Sequence, residues 1–361
     1  MSPLNPRLLF YAVNGLGLGH VTRLLAIARQ ARAQCPDAQI LFVTASEADN
    51  VIFQEGFAAL KVPSKTIAAA TRLRPQTYAK LVQTVTWNAV AAFNPAVLIV
   101  DTFPAGALHE LLPLLRWEMR RVFVYRAQQA EQANDPFFQN TLGLYDLAIM
   151  PHAPGTETIP LPPSLPAVWT GNILLRTRAD ALSRPEARAR LGLPLDGRVL
   201  YVTFGGGGAD EVREAIAVTQ AALAGTDWIV AVARAPLERL GVSALPARWH
   251  PVSYYPMAEC FAAFDGAVSA AGYNSVGELL HHGVPAVLVP FARGLDDQFA
   301  RVQKAVEAGA ALAAPLEAEA LRAAVQQLAD PAFAGRLGTQ ARALTEEDGA
   351  ARAAAAILRL L

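Results

Sequence analysis

The sequence predicts an α/β protein made of two doubly wound domains in tandem. Three observations carry that prediction. Short aliphatic and β-branched runs alternate with longer helical patterns. The runs are nearly continuous in apolar residues, which suits parallel strands covered by helices on both faces. A proline-rich stretch without period interrupts the alternation once, near the middle, and the alternation then resumes. A length of 361 residues accommodates about two domains of ordinary size.

The elements follow in order. LLFYAV (8–13) precedes a helical pattern at 20–34, and ILFVT (40–44) precedes another at 47–56. AVLIVD (96–101) precedes AGALHELLPLL (105–115); RVFVY (121–125) precedes 131–145; LAIM (147–150) closes the first series. Residues 151–172 read as a linker or interdomain wall. The second series is VLYVTF (199–204), WIVAVA (228–233), GAVSA (266–270) and AVLVPF (286–291), with helical segments between them. From 316 onward the chain is rich in Ala, Leu and Arg and is helical in pattern. The expected division is 1–170, 171–340, and a C-terminal helix at 341–361 free to pack back on the first domain. Ligands of such sheets bind beyond the carboxyl ends of the strands.

Composition narrows the class. Apolar residues make up 53% and charged residues 17%, against about 25% charged in an ordinary domain, so large cores are available. The formal net charge is zero, which leaves no electrostatic footprint for nucleic acid. Cys35 and Cys260 are far apart, without metal spacing or a disulfide framework, and a reducing compartment is the simplest expectation. MSPLNPRLLFYAV reads as a first strand rather than a signal peptide, and no apolar run is long enough to span a membrane. A cytoplasmic protein is expected, with peripheral contact at the inner face of a membrane left open.

Two glycine loops follow first strands. NGLGLGH (14–20) places glycines at 15, 17 and 19 and then His20. Gly17 and Gly19 let backbone pass close to a ligand, and helix-terminal N–H groups favour anions. No Gly-Lys-Ser/Thr follows, so this is not a P-loop, and the dinucleotide spacing fails as well. A tight turn needs glycine but does not need His20. FGGGGAD (204–210) repeats the design; Gly205, Gly206 and Gly207 are expected to line a cleft.

SAAGYNSVGELL (269–280) is a strand end, Gly272, and a helix with Asn274 and Ser275 in its first turn. Free N–H groups there can hold phosphate oxygens. The competing reading is a capping box of Ser275 with Glu278. Asp296, Asp297 and Gln298 follow the run ending VPF and suit bonds to sugar hydroxyls; the competing reading is an N-cap from Asp296 or Asp297. His281 and His282 are expected to cap the preceding helix and face solvent. Residues 61–93 mix Lys/Arg with aromatic residues, as an acceptor lip, a membrane-surface segment, or an ordinary amphipathic helix packed on the sheet.

The order S-x-x-G-x-x-S-x-x-E (Ser269, Gly272, Ser275, Glu278), then G-V-P, V-P-F and D-D-Q, resembles the donor-binding half of two-domain GT-B glycosyltransferases. It is similar to the bacterial GlcNAc transferase of peptidoglycan lipid synthesis and to UDP-sugar (UDP-glucosyl/glucuronosyl) transferases. The resemblance implies two Rossmann-like doubly wound domains facing a cleft. It implies that Ser275 and the N–H groups around Tyr273 and Asn274 hold the donor diphosphate, and that Glu278 accepts from the ribose. It further implies that Asp297 and Gln298 contact the sugar and that VSYYPM (252–257), with Ser253, Tyr254 and Met257, walls the base. His20 matches a general base and Asp101 the acid that orients it. Two departures stand out: Ala270 replaces a histidine of the plant-type box, and Tyr273 replaces its tryptophan.

The reaction so implied is an inverting, metal-independent transfer from a nucleotide-sugar, a UDP-sugar first, to a hydroxyl of a small molecule, lipid or glycan. No cofactor is implied beyond the UDP-sugar co-substrate. Imidazole titrates near neutrality and can take the acceptor proton. The alternatives are His20 as a structural histidine and Asp101 as an N-cap for a helix starting near 105. Gly17, Gly19, His20 and Arg23 also resemble the G-x-G-H-x-x-R of sugar-nucleotide hydrolases. A non-catalytic nucleotide-sugar-binding partner protein is the third class.

Overall fold

The computed structural model describes residues 5–13, 17–155, 159–205, 209–234, 245–292, 296–345 and 349–361. The chain divides into two compact units. One comprises residues 1–175 with 348–361, the other residues 176–347.

The first unit holds β1 (Arg7–Ala12), β2 (Gln39–Thr44), β3 (Ala58–Lys61), β4 (Val97–Asp101), β5 (Arg120–Val124), β6 (Leu147–Met150) and β7 (Ala167–Trp169). They form one sheet in the order β3-β2-β1-β4-β5-β6-β7, with parallel pairs throughout. The second unit holds β8 (Val199–Thr203), β9 (Ile229–Ala233), β10 (Trp249–Val252), β11 (Gly266–Ala270), β12 (Ala286–Val289) and β13 (Leu312–Ala313). Their order is β10-β9-β8-β11-β12-β13, again parallel. Both units are thus doubly wound and Rossmann-like, as expected.

The continuous apolar runs have the cause that their composition suggests. In β8, Val199 and Tyr201 enter one core cluster while Leu200 and Val202 enter another. Successive side chains point to opposite faces, and both faces are covered, so few positions are left for polar residues, and in β4, β8 and β11 these lie toward the carboxyl ends.

Four strands escape the sequence pattern. β3, β7, β10 and β13 are edge or near-edge strands of two to four residues. β7 lies inside 151–172, which is therefore no free linker: it pairs with β6, and the stretch belongs to the first unit. AGALHELLPLL is not an α-helix; only a 3₁₀ turn forms, at Leu114–Arg116. The Glu110 carboxylate accepts the N–H groups of Ala107 at 3.2 Å and Leu108 at 2.6 Å, along with the Tyr11 hydroxyl. Thr102, Gly106 and His109 take positive φ, which no helix allows. Pro75–Phe93 is the ordinary amphipathic alternative for that region, burying Val82, Thr86, Ala89 and Val90 on one face. No helix among the described residues is long and apolar enough to cross a membrane.

The last helix, Gly349–Leu358, packs in the first unit against Gly19–Gln34. Gln34 Nε2 donates to the Ala351 carbonyl at 3.0 Å, and Arg352 Nε donates to the Thr170 carbonyl at 2.9 Å. Gly349 is buried, and a Cβ there would run into the Asn172 carbonyl. Gly349→Ala is therefore expected to cost about 1–3 kcal/mol by overpacking, read as a lower denaturation midpoint.

Candidate active site

In the first unit the site is built where β1 and β4 lie side by side. His20 sits in the first turn of the Gly19–Gln34 helix that follows β1, and Asp101 is the last residue of β4. His20 Nδ1 lies 3.1 Å from Asp101 Oδ2. The tautomer that donates Nδ1–H to this carboxylate leaves Nε2 with a lone pair, the arrangement a general base needs. Phe103 flanks the imidazole, with ring centroids 6.1 Å apart. His20 is thus tied to a carboxylate rather than to a loop backbone, and its side chain keeps 18% exposure.

Asp101 does not cap a helix, because none starts near 105. Its carboxylate is fully buried and accepts several hydrogen bonds. Arg23 Nη2 donates to Oδ2 at 2.7 Å and Oδ1 at 3.0 Å, and the Thr102 hydroxyl donates to Oδ1 at 3.0 Å. Burial alone would push this acid up, but the Arg23 guanidinium and His20 together hold it down at about 2. Asp101 is a carboxylate at any working pH. Arg23 is the arginine of the G-x-G-H-x-x-R order, and its spacing of three from His20 puts both on one helix face. Gly17 and Gly19 are in place before and at the helix start.

In the second unit the matching place is between β8 and β11. Gly205 follows β8 with φ +66°, and a Cβ there would meet nothing within 4 Å. Gly206 and Gly207 lie outside the described residues. After β11 the helix Tyr273–His282 begins, with Gly272 at its N-cap and no side-chain cap. Ser275 is therefore the third helical residue, not the cap, and the Ser275–Glu278 capping box does not form. A Cβ at Gly272 would also meet open space. Tyr273, Asn274 and Ser275 form the first helical turn, whose N–H groups point out past the helix start.

Among the described residues, no hydrogen bond reaches the Glu278 carboxylate, and burial raises its pKa to about 7. An acid held this way costs stability at neutral pH. His281 and His282 do not face solvent. They form the last turn of the same helix; His281 is fully buried, and His282 packs edge-on to Phe261. Burial and the adjacent His281 lower the His282 pKa to about 4.

Asp297 is the N-cap of Gln298–Glu307, accepting from Ala300 N at 3.0 Å. Gln298 is buried and its Oε1 accepts from Phe291 N at 3.0 Å. The capping alternative thus holds for Asp297, while the Gln298 amide nitrogen carries no bond among the described residues. Asp296 pairs with Arg301, whose Nη1 also donates to the Ala271 carbonyl at 2.7 Å. Arg301 lies over the Tyr273 ring at 5.5 Å. It ties the 296–298 segment to the β11–helix junction, a link with no sequence signal.

Of the base-wall residues, Ser253 is exposed and Met257 packs on the core. Tyr254 donates to Glu259 Oε2 at 2.6 Å and receives Arg190 Nη1 at 3.3 Å. Its hydroxyl is committed inside the unit, and the Arg190 guanidinium lies 5.8 Å from its ring centroid.

Two outcomes separate a ligand site from packing. Ser275→Ala should leave the melting temperature nearly unchanged, within about 0.5 kcal/mol, because no cap is lost; UDP affinity by calorimetry should fall by about tenfold. Glu278→Gln should stabilise the fold above pH 7, by on the order of 1 kcal/mol. Between its unfolded value of 4.5 and about 7, the folded state retains a proton that the unfolded chain releases. Stability is therefore lost as pH rises through that window, and the gain from Gln should vanish below pH 4.5. Melting curves from pH 4 to 9 check this.

A model of the glycosyltransferase family 28 C-terminal domain matches residues 199–353. Over 355 residues the chain is 30% identical to the UDP-N-acetylglucosamine–N-acetylmuramyl-(pentapeptide) pyrophosphoryl-undecaprenol N-acetylglucosamine transferase of Clavibacter michiganensis subsp. michiganensis, covering 93% of this chain and 92% of that protein. Among solved structures it is similar to CalG4, the calicheamicin glycosyltransferase, with a TM-score of 0.63, 20% identity, and 99% and 98% of the two chains covered. It is likewise similar to MurG of Acinetobacter baumannii, with a TM-score of 0.60, 15% identity, and coverage of 98% and 100%. At these identities the solved structures establish the GT-B fold alone. The relative matched along nearly its whole length establishes more: this chain belongs to glycosyltransferase family 28 and is a glycosyltransferase.

Proposed function

We propose that the protein is an inverting transferase that moves a sugar from a UDP-sugar to a hydroxyl acceptor, without a metal. The observation that carries the reading is His20, held by a buried carboxylate with Nε2 left to act. The acceptor hydroxyl gives its proton to Nε2 as its oxygen attacks the anomeric carbon. The bond to the diphosphate breaks, and UDP leaves with the negative charge. A single displacement inverts the anomeric centre. Asp101 keeps the imidazole in the required tautomer and supports the imidazolium.

On the donor side, the first-turn amides after Gly272 and the Ser275 hydroxyl suit the diphosphate. Glu278 suits the ribose hydroxyls, and the Gln298 amide nitrogen suits the sugar. Backbone amides and a helix terminus meet the leaving charge, so no metal is assigned to it; turnover should persist in EDTA. For the Clavibacter relative the acceptor is a pyrophosphoryl-undecaprenol lipid. We extend the acceptor class to lipid-linked hydroxyls first, with the protein in the cytoplasm and in peripheral contact with the membrane.

A hydrolase reading rests on one observation: Arg23 of the G-H-x-x-R pattern does engage Asp101. Water would then replace the acceptor at Nε2. UDP release measured with and without acceptor separates the two. His20→Ala should lower kcat/KM by about 10²–10⁴-fold while UDP binding by calorimetry stays within twofold. Unimpaired turnover in His20→Ala would remove His20 from the role of base.

A further inference from the structure

We infer that Arg23 is a positioning residue that sets the proton affinity of His20 through their shared carboxylate. The inference rests on the reading of His20 as the base and goes beyond it.

Arg23 and His20 donate to the same oxygen. Asp101 Oδ2 receives Arg23 Nη2 at 2.7 Å and faces His20 Nδ1 at 3.1 Å, and the same Arg23 nitrogen reaches Oδ1 at 3.0 Å. Both members of the ion pair are sealed: Arg23 has 2% side-chain exposure and Asp101 none. Guanidinium does not give up its proton in a protein, so the Arg23–Asp101 pair is neutral as a unit. Among the described residues, the charged groups set against His20 are Asp101 on β4 and, across it, Arg23 on the same helix as His20. Phe103 closes another side with an apolar ring.

The consequence follows from counting charge. A histidine facing a carboxylate alone passes from net −1 to zero when it takes a proton, so the carboxylate favours that proton strongly. Here the cluster passes from zero to +1. Two cations that share one oxygen are close enough to repel, the more so because Arg23 and Asp101 are shielded from water. Arg23 therefore offsets the pull of the carboxylate on that proton while preserving the Nδ1–H bond that orients the ring.

The test compares Arg23→Gln with Arg23→Lys in the full chain. Gln keeps an amide N–H for Asp101 but removes the charge; Lys keeps the charge but loses the two-oxygen reach. The readouts are the His20 imidazole C–H titration by NMR and the acid limb of the kcat/KM profile. With Gln, both midpoints should rise by about one pH unit, a tenfold change. With Lys, both midpoints should stay at the wild-type position while kcat falls.

If Arg23→Gln lowers the melting temperature or kcat and leaves both midpoints in place, Arg23 is a structural ion pair and the inference is wrong. Should Arg23→Gln fail to fold, Arg23→Met, which also removes the charge, decides by the same titration: a midpoint displaced upward supports the inference, and an unmoved one overturns it. The NMR titration needs no turnover. A chain that bound UDP but never released it from a UDP-sugar would sink the transferase reading, while the titration would still judge Arg23.

Discussion

Parallel strand pairing is the constraint on which the rest of the structure depends. Every pair in both sheets is parallel, so within each unit all strands deliver their carboxyl ends to one edge. In the first unit the chain winds outward one way from β1 and the other way from β4. In the second it does the same from β8 and β11. Where the winding reverses, the two connections diverge and leave space above the sheet. His20 follows β1 and Asp101 ends β4; Gly205 follows β8 and the Gly272 turn follows β11. The polar residues collect there because the topology opens only that place.

Sequence reasoning reaches what burial on two faces writes into the chain. Central strands such as β1, β4, β8 and β11 are continuous apolar runs because both faces are covered, and each falls within a residue or two of its reading. Edge strands carry no such mark. The β3 residues Ala58–Lys61 are mostly exposed, and β13 is two residues long, so neither builds a pattern. The 105–115 segment fails differently. Its Leu spacing fits a helix, but Glu110 turns back on the amides of Ala107 and Leu108 and supplies bonds that compete with helical ones. Local propensity lost to one buried carboxylate, and nothing local announces such a partner.

The site shows the same limit. Residues that act through backbone position, such as Gly272 and Ser275, are legible because their order along the chain is their geometry. Residues that act through distant partners are not. Arg23 and Asp101 are 78 positions apart, and Arg301 reaches back 30 positions to Ala271. Spacing hints at the first pair only through the helix face that Arg23 shares with His20.

The two halves are prepared in opposite senses, and this difference is itself a functional signature. In the first unit the polar groups satisfy one another: Asp101 is saturated by Arg23, Thr102 and His20, and its geometry is set before any substrate arrives. A base needs that, because proton transfer depends on an orientation fixed in advance. In the second unit Gly272 leaves its helix without a side-chain cap, and Glu278 is held at a raised pKa without a bond among the described residues. That part of the fold gives up stability at neutral pH, because the raised acid is charged there without a hydrogen bond among the described residues. A capping box at Ser275 would have satisfied both residues internally. The helix starts three residues too early for that, so Ser275 and Glu278 do not complete one another.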